Sequence, residues 1–407
     1  MKATRACEHE QGCKKVFEFF DVEATFPRPK EANPGEKVAV LAGKFTNLRR
    51  LPPPGRIAVA VGSRGITAIG EMTASLVGAL KAGGYDPFVV PAMGSHGGET
   101  PEGQLKTLAS LGITEETVKA PVIATSEVVS AGKTRSGVEV FIDKNAFEAD
   151  AIVPINRIKP HTAFRGRLES GPAKLLAVGL GKSRSAALMH RAGLATAIPE
   201  ALQVLIEAEK VLFGIAILEN PYGETAHIEL VAPQNWLEEE SLLLNRAWEL
   251  YPRLPWEKLD ILVVERMGKD ISGTGMDLNV IGMSRRFPGS GTLPEIGRVI
   301  ALELTAGSGG NATGLGYADI VTRKLAGAVN WEKTRFNCAA SGFPEAARLP
   351  FVSLGEPDAI KKALSDLNIS SKHVRAAKIP DTSHLHKIQV SRALTEDLPE
   401  PFHKCAG

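Results

Sequence analysis

The stretch Ile57-Ala58-Val59-Ala60-Val61, running into Gly62-Ser63-Arg64-Gly65, decides the fold class. Its apolar run does not alternate, so it predicts a strand buried on both faces, the habit of strands in parallel sheets. Pro52-Pro53-Pro54-Gly55 sets its start and the glycine-bounded turn its end. A helical pattern follows over 68–81 and stops at Gly83-Gly84. The next strand, 87–91, runs into Met93-Gly94-Ser95-His96-Gly97-Gly98. There Thr100-Pro101 reads as an N-cap with proline in the first turn of a helix to about 111.

Outward from this unit the alternation continues. Strands are predicted at 121–124, 138–142, 149–155, 212–218 and 227–231, and helices at 182–191, 197–208 and 236–251. Pro252 and Pro255 then break the chain, and Asp260-Ile261-Leu262-Val263-Val264 opens a second series. That series holds a strand at 298–305, a glycine-rich loop at 307–316, a helix at 318–329, a strand near Phe351 and a helix at 358–367. The class is α/β, with two domains, 1–254 and 255–407.

In open α/β sheets ligands bind beyond the carboxyl ends of the strands. Three such ends carry reactive groups: Ser63 and Arg64, then Ser95 and His96, then Arg157, Lys159 and His161. The segment 157–184 holds Arg157, Lys159, Arg165, Arg167, Lys174, Lys182 and Arg184 against the single acid Glu169, a candidate anion site. Gly179-Leu180-Gly181-Lys182-Ser183 mimics the end of a P-loop, but Leu176 stands where the first glycine is needed. Gly307-Ser308-Gly309-Gly310-Asn311-Ala312 reads as a tight strand-to-helix turn rather than a dinucleotide fingerprint. His96, His161, Lys174 and His190 together offer acid/base groups, an amine and a metal ligand.

Ser63-Arg64-Gly65, Gly94-Ser95-His96-Gly97-Gly98-Glu99-Thr100, Lys159-Pro160-His161, Lys174, His190 and Lys269-Asp270-Ile271 resemble, as a set, the motifs of the nickel-dependent lactate racemase family. The resemblance implies two α/β domains with the active site in the cleft between them. It implies a nickel-pincer nucleotide as cofactor. Lys174 would attach it, Ser63, Gly97 and Lys159 would contact it, and His190 would ligate the nickel. His96 and His161 would be the paired acid/base residues, and Arg64 and Lys269 would bind the substrate.

The implied activity is racemisation or epimerisation of a 2-hydroxy acid through a transient 2-keto acid, with proteins of cofactor biosynthesis as partners. Ser272-Gly273-Thr274-Gly275-Met276-Asp277 departs from the family's second-domain motif, which points to a larger or differently charged acid, with Lys269 or Arg285 as substitutes. The alternatives are a non-catalytic homologue that binds nucleotide or metal, and a zinc hydrolase ligated by His96, His161 and His190.

Composition narrows the classes further. The 407 residues carry 48 basic and 46 acidic side chains, a net charge of +2, which argues against a nucleic-acid or anionic-membrane partner. The 4 cysteines, Cys7, Cys13, Cys338 and Cys405, form neither a zinc-ribbon nor a disulfide pattern. No apolar run is long enough to span a bilayer, and the first residues lack an apolar signal core. A reducing, cytoplasmic location is expected. The 40 glycines exceed the ordinary share and predict close backbone approaches near a ligand.

Overall fold

The computed structural model describes residues 16–46, 51–63, 65–94, 96–287 and 293–405. The chain divides into two compact units, Phe26–Tyr251 and a second made of Met1–Thr25 with Pro252–Gly407. Strand β1 (Phe19–Ala24) belongs to the second unit.

The Phe26–Tyr251 unit holds β2 (Arg56–Val61), β3 (Asp86–Pro91), the hairpin strands β4 (Val128–Lys133) and β5 (Glu139–Asp143), then β6 (Ala151–Arg157), β7 (Gly214–Glu219) and β8 (Thr225–Val231). Its main sheet has the order β3-β2-β6-β7-β8, parallel except for β8. In β2, Ile57, Val59 and Val61 face a core shared with Val38 and Phe45 of helix Pro34–Thr46 and Met72, Leu76 and Leu80 of helix Ile69–Ala82. Ala58 and Ala60 face the opposite core, with Leu176, Ile198, Leu202 and Trp236. Both faces are covered, so the run is continuously apolar. Each buried Val or Ile contributes roughly 1.5–3 kcal/mol, and a carboxylate in place of Val59 would meet apolar walls on that face.

Helix Ile69–Ala82 buries Ile69, Met72, Thr73, Leu76, Val77 and Leu80, the spacing of one helical face. Helix Pro101–Ser110 starts as its sequence suggests: Thr100 accepts a hydrogen bond from Gly103 N (3.1 Å), with Pro101 in the first turn. The 121–124 segment is not a full strand. It adds only a bridge at Val122 beside Val89.

The second unit holds β9 (Lys258–Met267), β10 (Glu295–Leu304), β11 (Ile320–Thr322), β12 (Phe351–Ser353), β13 (Ala376–Ile379), β14 (Lys387–Ser391) and β15 (Phe402–Lys404). With β1 they form one sheet in the order β12-β11-β10-β9-β13-β14-β1-β15. The first five strands of that order are parallel, and β14, β1 and β15 pair antiparallel.

Two expectations are corrected here. The helix expected at 318–329 begins as β11, because Ile320 and Val321 pair with Ile300 and Ala301 of β10 and are buried; only Arg323–Gly327 is helical, capped by Thr322. The first unit does not start at residue 1. β1 fills the place between β14 and β15, with Val22 opposite both Ile388 and Lys404, so the chain up to Thr25 groups with the later unit.

Each sheet has a switch point, where successive connections leave a strand in opposite directions. In the first unit the chain runs from β2 to β3 on one side, then returns to β6 on the other. In the second, β10 to β12 extend one way from β9 and β13 lies on its other side. Crevices beyond the carboxyl ends of β2 and β6, and of β9 and β13, are where such sheets take ligands.

Candidate functional site

The carboxyl ends of β3, β2 and β6 bring together His96, Ser63 and His161. With strands spaced about 4.8 Å apart, residues leaving β3 and β6 start roughly 10 Å apart, on either side of β2. Arg64, expected to hold the substrate, lies outside the described residues, as does Ser95.

Ser63 Oγ is hydrogen-bonded to His96 Nδ1, and both side chains are half-buried. A hydroxyl can donate or accept, so this partner suits the imidazole with Nδ1 protonated or bare. Gly94 N donates to Gly179 O (3.0 Å), which ties the His96 loop to the segment after Lys174. Gly97 has φ +69°, and a Cβ there would lie 2.7 Å from Gln104 N, so it is required where the loop packs on helix Pro101–Ser110.

The His161 loop is closed at its base by paired hydrogen bonds between Lys159 and Ser170 (3.1 and 3.3 Å). Lys159 Nζ also lies 5.9 Å from the centre of the Tyr251 ring. Glu169, 3% exposed, accepts from His161 N (2.5 Å) and Gly166 N (3.3 Å), and Arg165 donates to His161 O (2.8 Å). Burial pushes the Glu169 carboxyl above its ordinary range, against those two backbone donors and the Arg165 charge. The His161 ring packs against Phe164, with ring centres 4.4 Å apart and planes tilted by 40°, and its Nδ1 accepts from Ala163 N (3.0 Å).

Lys174 is half-buried and ends the short helical turn Pro172–Lys174. A π-turn, Leu175–Gly179, follows directly. Such turns widen the backbone and are frequent at functional sites. Asn156 Nδ2 on β6 donates to Gly171 O (3.1 Å) and fixes the start of this segment. Beneath it lies Glu240, 1% exposed, which accepts from Trp236 Nε1 (2.6 Å) and Ala173 N (3.1 Å) through one oxygen. Its other oxygen has no hydrogen-bond partner. Burial raises its pKa to about 7, outweighing both donors.

His190 is exposed in the last turn of helix Lys182–Ala192, which packs on the π-turn through Ser185 Oγ to Ala177 O (2.7 Å). Lys182, at the start of this helix, is 5% exposed. It pairs with Asp143 (2.9 Å) and donates to Pro91 O (2.7 Å) and Gln104 Oε1 (3.1 Å). Gln104 Nε2 in turn reaches Gly94 O (3.4 Å). One buried amine thus connects β5, the end of β3, the His96 loop and the His190 helix.

The basic segment 157–184 is corrected accordingly. Arg157 pairs with Glu219, Arg167 with Glu238 and Lys182 with Asp143, while Arg165 stacks on Trp248 and Arg184 on Phe141. Most of its charge serves the fold rather than an anion. Glu240, Gln104 and the Lys182–Asp143 pair escaped the sequence reading, since their partners lie 67 to 78 residues away or on other elements.

Lys269 belongs to the other unit, just beyond the carboxyl end of β9. Its N donates to Ser308 Oγ (2.9 Å) and its Nζ to Asn337 Oδ1 (3.2 Å). Arg285, the other suggested substitute, is engaged by Asp319, Tyr317 O and Ile296 O, a structural role. The 307–312 loop is a tight turn, with Ser308 Oγ bound to Asp270 (3.1 Å) and positive φ at Gly309 and Gly310. Among the described residues no three His, Cys, Asp or Glu side chains converge as a metal cage, and no helix is long and apolar enough to cross a membrane.

Residues 54–201 match the family model of the lactate racemase N-terminal domain. Comparison with curated proteins finds no match. Among solved structures, the lactate racemase apoprotein from Thermoanaerobacterium thermosaccharolyticum is similar in fold, at 12% sequence identity and a TM-score of 0.57, over 90% of this chain and 99% of that one. Residues 54–201 contain Ser63, His96, His161, Lys174 and His190, so these five residues lie in the part of the chain that is similar to the lactate racemase N-terminal domain.

Proposed function

We propose that the protein is a racemase or epimerase of a 2-hydroxy acid that works with a nickel-pincer nucleotide. The observation that carries this is the placement of the Ser63–His96 pair and His161 at strand ends on the two sides of the first unit's switch point. The donor set suits the cofactor. An amine, Lys174, and an imidazole, His190, stand on packed consecutive segments. The described cysteines, Cys338 and Cys405, both lie in the other unit, so sulfur would arrive with the cofactor. A His-ligated zinc hydrolase needs three converging protein ligands, and none converge among the described residues.

The nickel-pincer nucleotide, when bound, supplies the acceptor and donor for the C2 hydrogen. Lys174 would hold it covalently and His190 would ligate its metal, and Ser63, Gly97 and Lys159 would contact it. His96 and His161 handle the hydroxyl proton, which is a far more accessible acid than the C2–H bond. Arg64 and Lys269 bind the substrate carboxylate and hold it during the turnover of the keto acid. Proteins that build the cofactor are the expected partners, in the cytoplasm.

The test is co-expression with cofactor-making enzymes, followed by metal analysis and peptide mass mapping. Stoichiometric nickel, a mass adduct on the Lys174 peptide and deuterium exchange at C2 of one acid in a 2-hydroxy-acid panel are expected. His190→Ala should lose nickel; His96→Ala and His161→Ala should keep it and lose exchange. Protein without nickel and without the adduct overturns the cofactor assignment. Loaded protein that exchanges no acid of the panel favours a binding homologue instead.

A further inference from the structure

The second unit carries a histidine–carboxylate pair to which the racemase reading gives no part. Asp381 and His384 lie in the loop that leaves the carboxyl end of β13. The Asp381 side chain is buried, whereas that of His384 is 60% exposed. His384 Nδ1 stands 2.8 and 2.9 Å from the two carboxylate oxygens. Asp381 Oδ1 also accepts from Ser383 N (2.8 Å) and His384 N (3.1 Å), and Arg266 lies 3.5 Å from Oδ2. A carboxylate ringed by donors acts as the acceptor, so Nδ1 carries the proton and the neutral ring keeps a bare Nε2. Among the described residues no group is hydrogen-bonded to that nitrogen.

The pair stands at the second unit's switch point, where β13 lies beside β9. Its loop is stitched to the one that bears Lys269. Ser383 Oγ donates to Ile271 O (3.2 Å), Asp277 N to Thr382 Oγ1 (3.0 Å) and Arg266 N to Pro380 O (3.0 Å). The turn itself needs only the Asp381 carboxylate, bound to two backbone N–H groups, and not the imidazole. The ring is thus a preset hydrogen-bond acceptor at a strand-end crevice.

We propose that His384 determines specificity by accepting, at Nε2, a hydrogen bond from a further hydroxyl on the substrate chain, so that the substrate is a polyhydroxy 2-hydroxy acid. The proposal rests on the racemase reading. There Arg64 and Lys269 bind the carboxylate, His96 and His161 handle the C2 hydroxyl, and no residue takes the rest of the chain. An acceptor nitrogen selects a donor. A hydroxyl offers one, a methyl group offers none, and a second carboxylate offers only acceptors. Held at its carboxylate and at a hydroxyl farther along the chain, the keto acid keeps C2 and its oxygen free. The oxygen then swings about the line joining C1 and C3, from one imidazole to the other, and C2 turns its other face.

The first test needs no cofactor. Apoprotein labelled with 15N-histidine is read by long-range 1H–15N correlation at a pH where the rings are neutral, with His384→Gln giving the assignment. His384 is expected as the Nδ1–H tautomer with bare Nε2, and an Nε2–H tautomer overturns the proposal. The second test measures C2 exchange by loaded enzyme on matched acids: 2-hydroxybutanoate, 2,4-dihydroxybutanoate, the dicarboxylate 2-hydroxybutanedioate, and a six-carbon polyhydroxy acid with its deoxy counterpart. The parent should prefer the hydroxylated acids. In His384→Leu the ratio of kcat/KM for hydroxylated to unhydroxylated acid should fall about tenfold, through KM rather than kcat. His384→Gln, which restores an acceptor oxygen, should bring the ratio back to within about threefold of the parent. Equal losses for both kinds of acid, or a preference for the dicarboxylate that disappears with His384, overturn the proposal and leave the racemase reading standing. If the parent exchanges no acid, the racemase reading falls. Calorimetric binding of the same acids to the parent and to His384→Leu then decides: a hydroxyl preference lost in the variant upholds the role of His384, and its absence from the parent overturns it.

Discussion

Glu240 makes the protein's stability depend on pH in an unusual direction. Its carboxyl is buried under the Lys174 segment, with both donors, Trp236 Nε1 and Ala173 N, on one oxygen. Its pKa is raised from 4.5 to about 7, so the native state binds a proton that the unfolded chain releases. Between those values stability falls as pH rises, and above the folded value the loss is complete. A shift of this size corresponds to about 3 kcal/mol in all, of which roughly 2 kcal/mol accrues between about pH 5.5 and about pH 8.5. Glu240→Gln removes the titration and keeps the shape. Urea unfolding of parent and variant at the two pH values, followed by tryptophan fluorescence, gives a difference of differences that cancels all other groups. Trp236 fluorescence should also titrate near neutrality in the parent and not in the variant. A difference below about 0.5 kcal/mol, or an equal pH slope in the variant, would refute the assignment of a protonated carboxyl.

Four further outcomes follow from the same structure. Lys182→Met strands Asp143 in the interior and should cost about 3–5 kcal/mol by urea unfolding, with most of the loss recovered when Asp143→Leu is added. Glu169→Gln turns an amide toward the backbone donors of the His161 loop; a loss of about 1–3 kcal/mol is expected, and so is a shifted His161 resonance, whereas an unshifted resonance would count against loop control of the ring. Gly179→Ala places a Cβ against Ala92 O, and should cost about 1–3 kcal/mol and lower cofactor loading by loosening the π-turn from β3. Val22→Asp, in a strand held between β14 and β15, should lower the thermal midpoint of the second unit while leaving Trp236 fluorescence in the first unchanged at ambient temperature; an unchanged midpoint would contradict the pairing.

Local signals carried the sheet strands because their causes are local. Ile57 to Val61 is apolar throughout, Thr100-Pro101 caps its own helix, and glycines end the helix before β3. The same signals failed where a neighbour decided the outcome. Ile320 and Val321 read as helix by periodicity and became β11 because β10 offered pairing and burial. The fold of the N-terminal stretch was invisible for the same reason, since β14 and β15 lie more than 360 residues away in sequence.

By itself the sequence determined an α/β chain of two units, the strand ends that bear Ser63, His96 and His161, and a motif set that resembles that of the lactate racemases. Periodicity, turn chemistry and residue identity are properties of the chain within a few residues, and they survive without knowing what packs on what. The tertiary structure decided which charges serve chemistry and which serve the fold. Lys182 and Glu240 differ from exposed residues only through the water they have lost, and the partners of His96 and His161 at Nδ1, a hydroxyl and a backbone N–H, come from the folded loops. Desolvation and hydrogen-bond direction are relations between distant segments, so they exist only once the chain has folded.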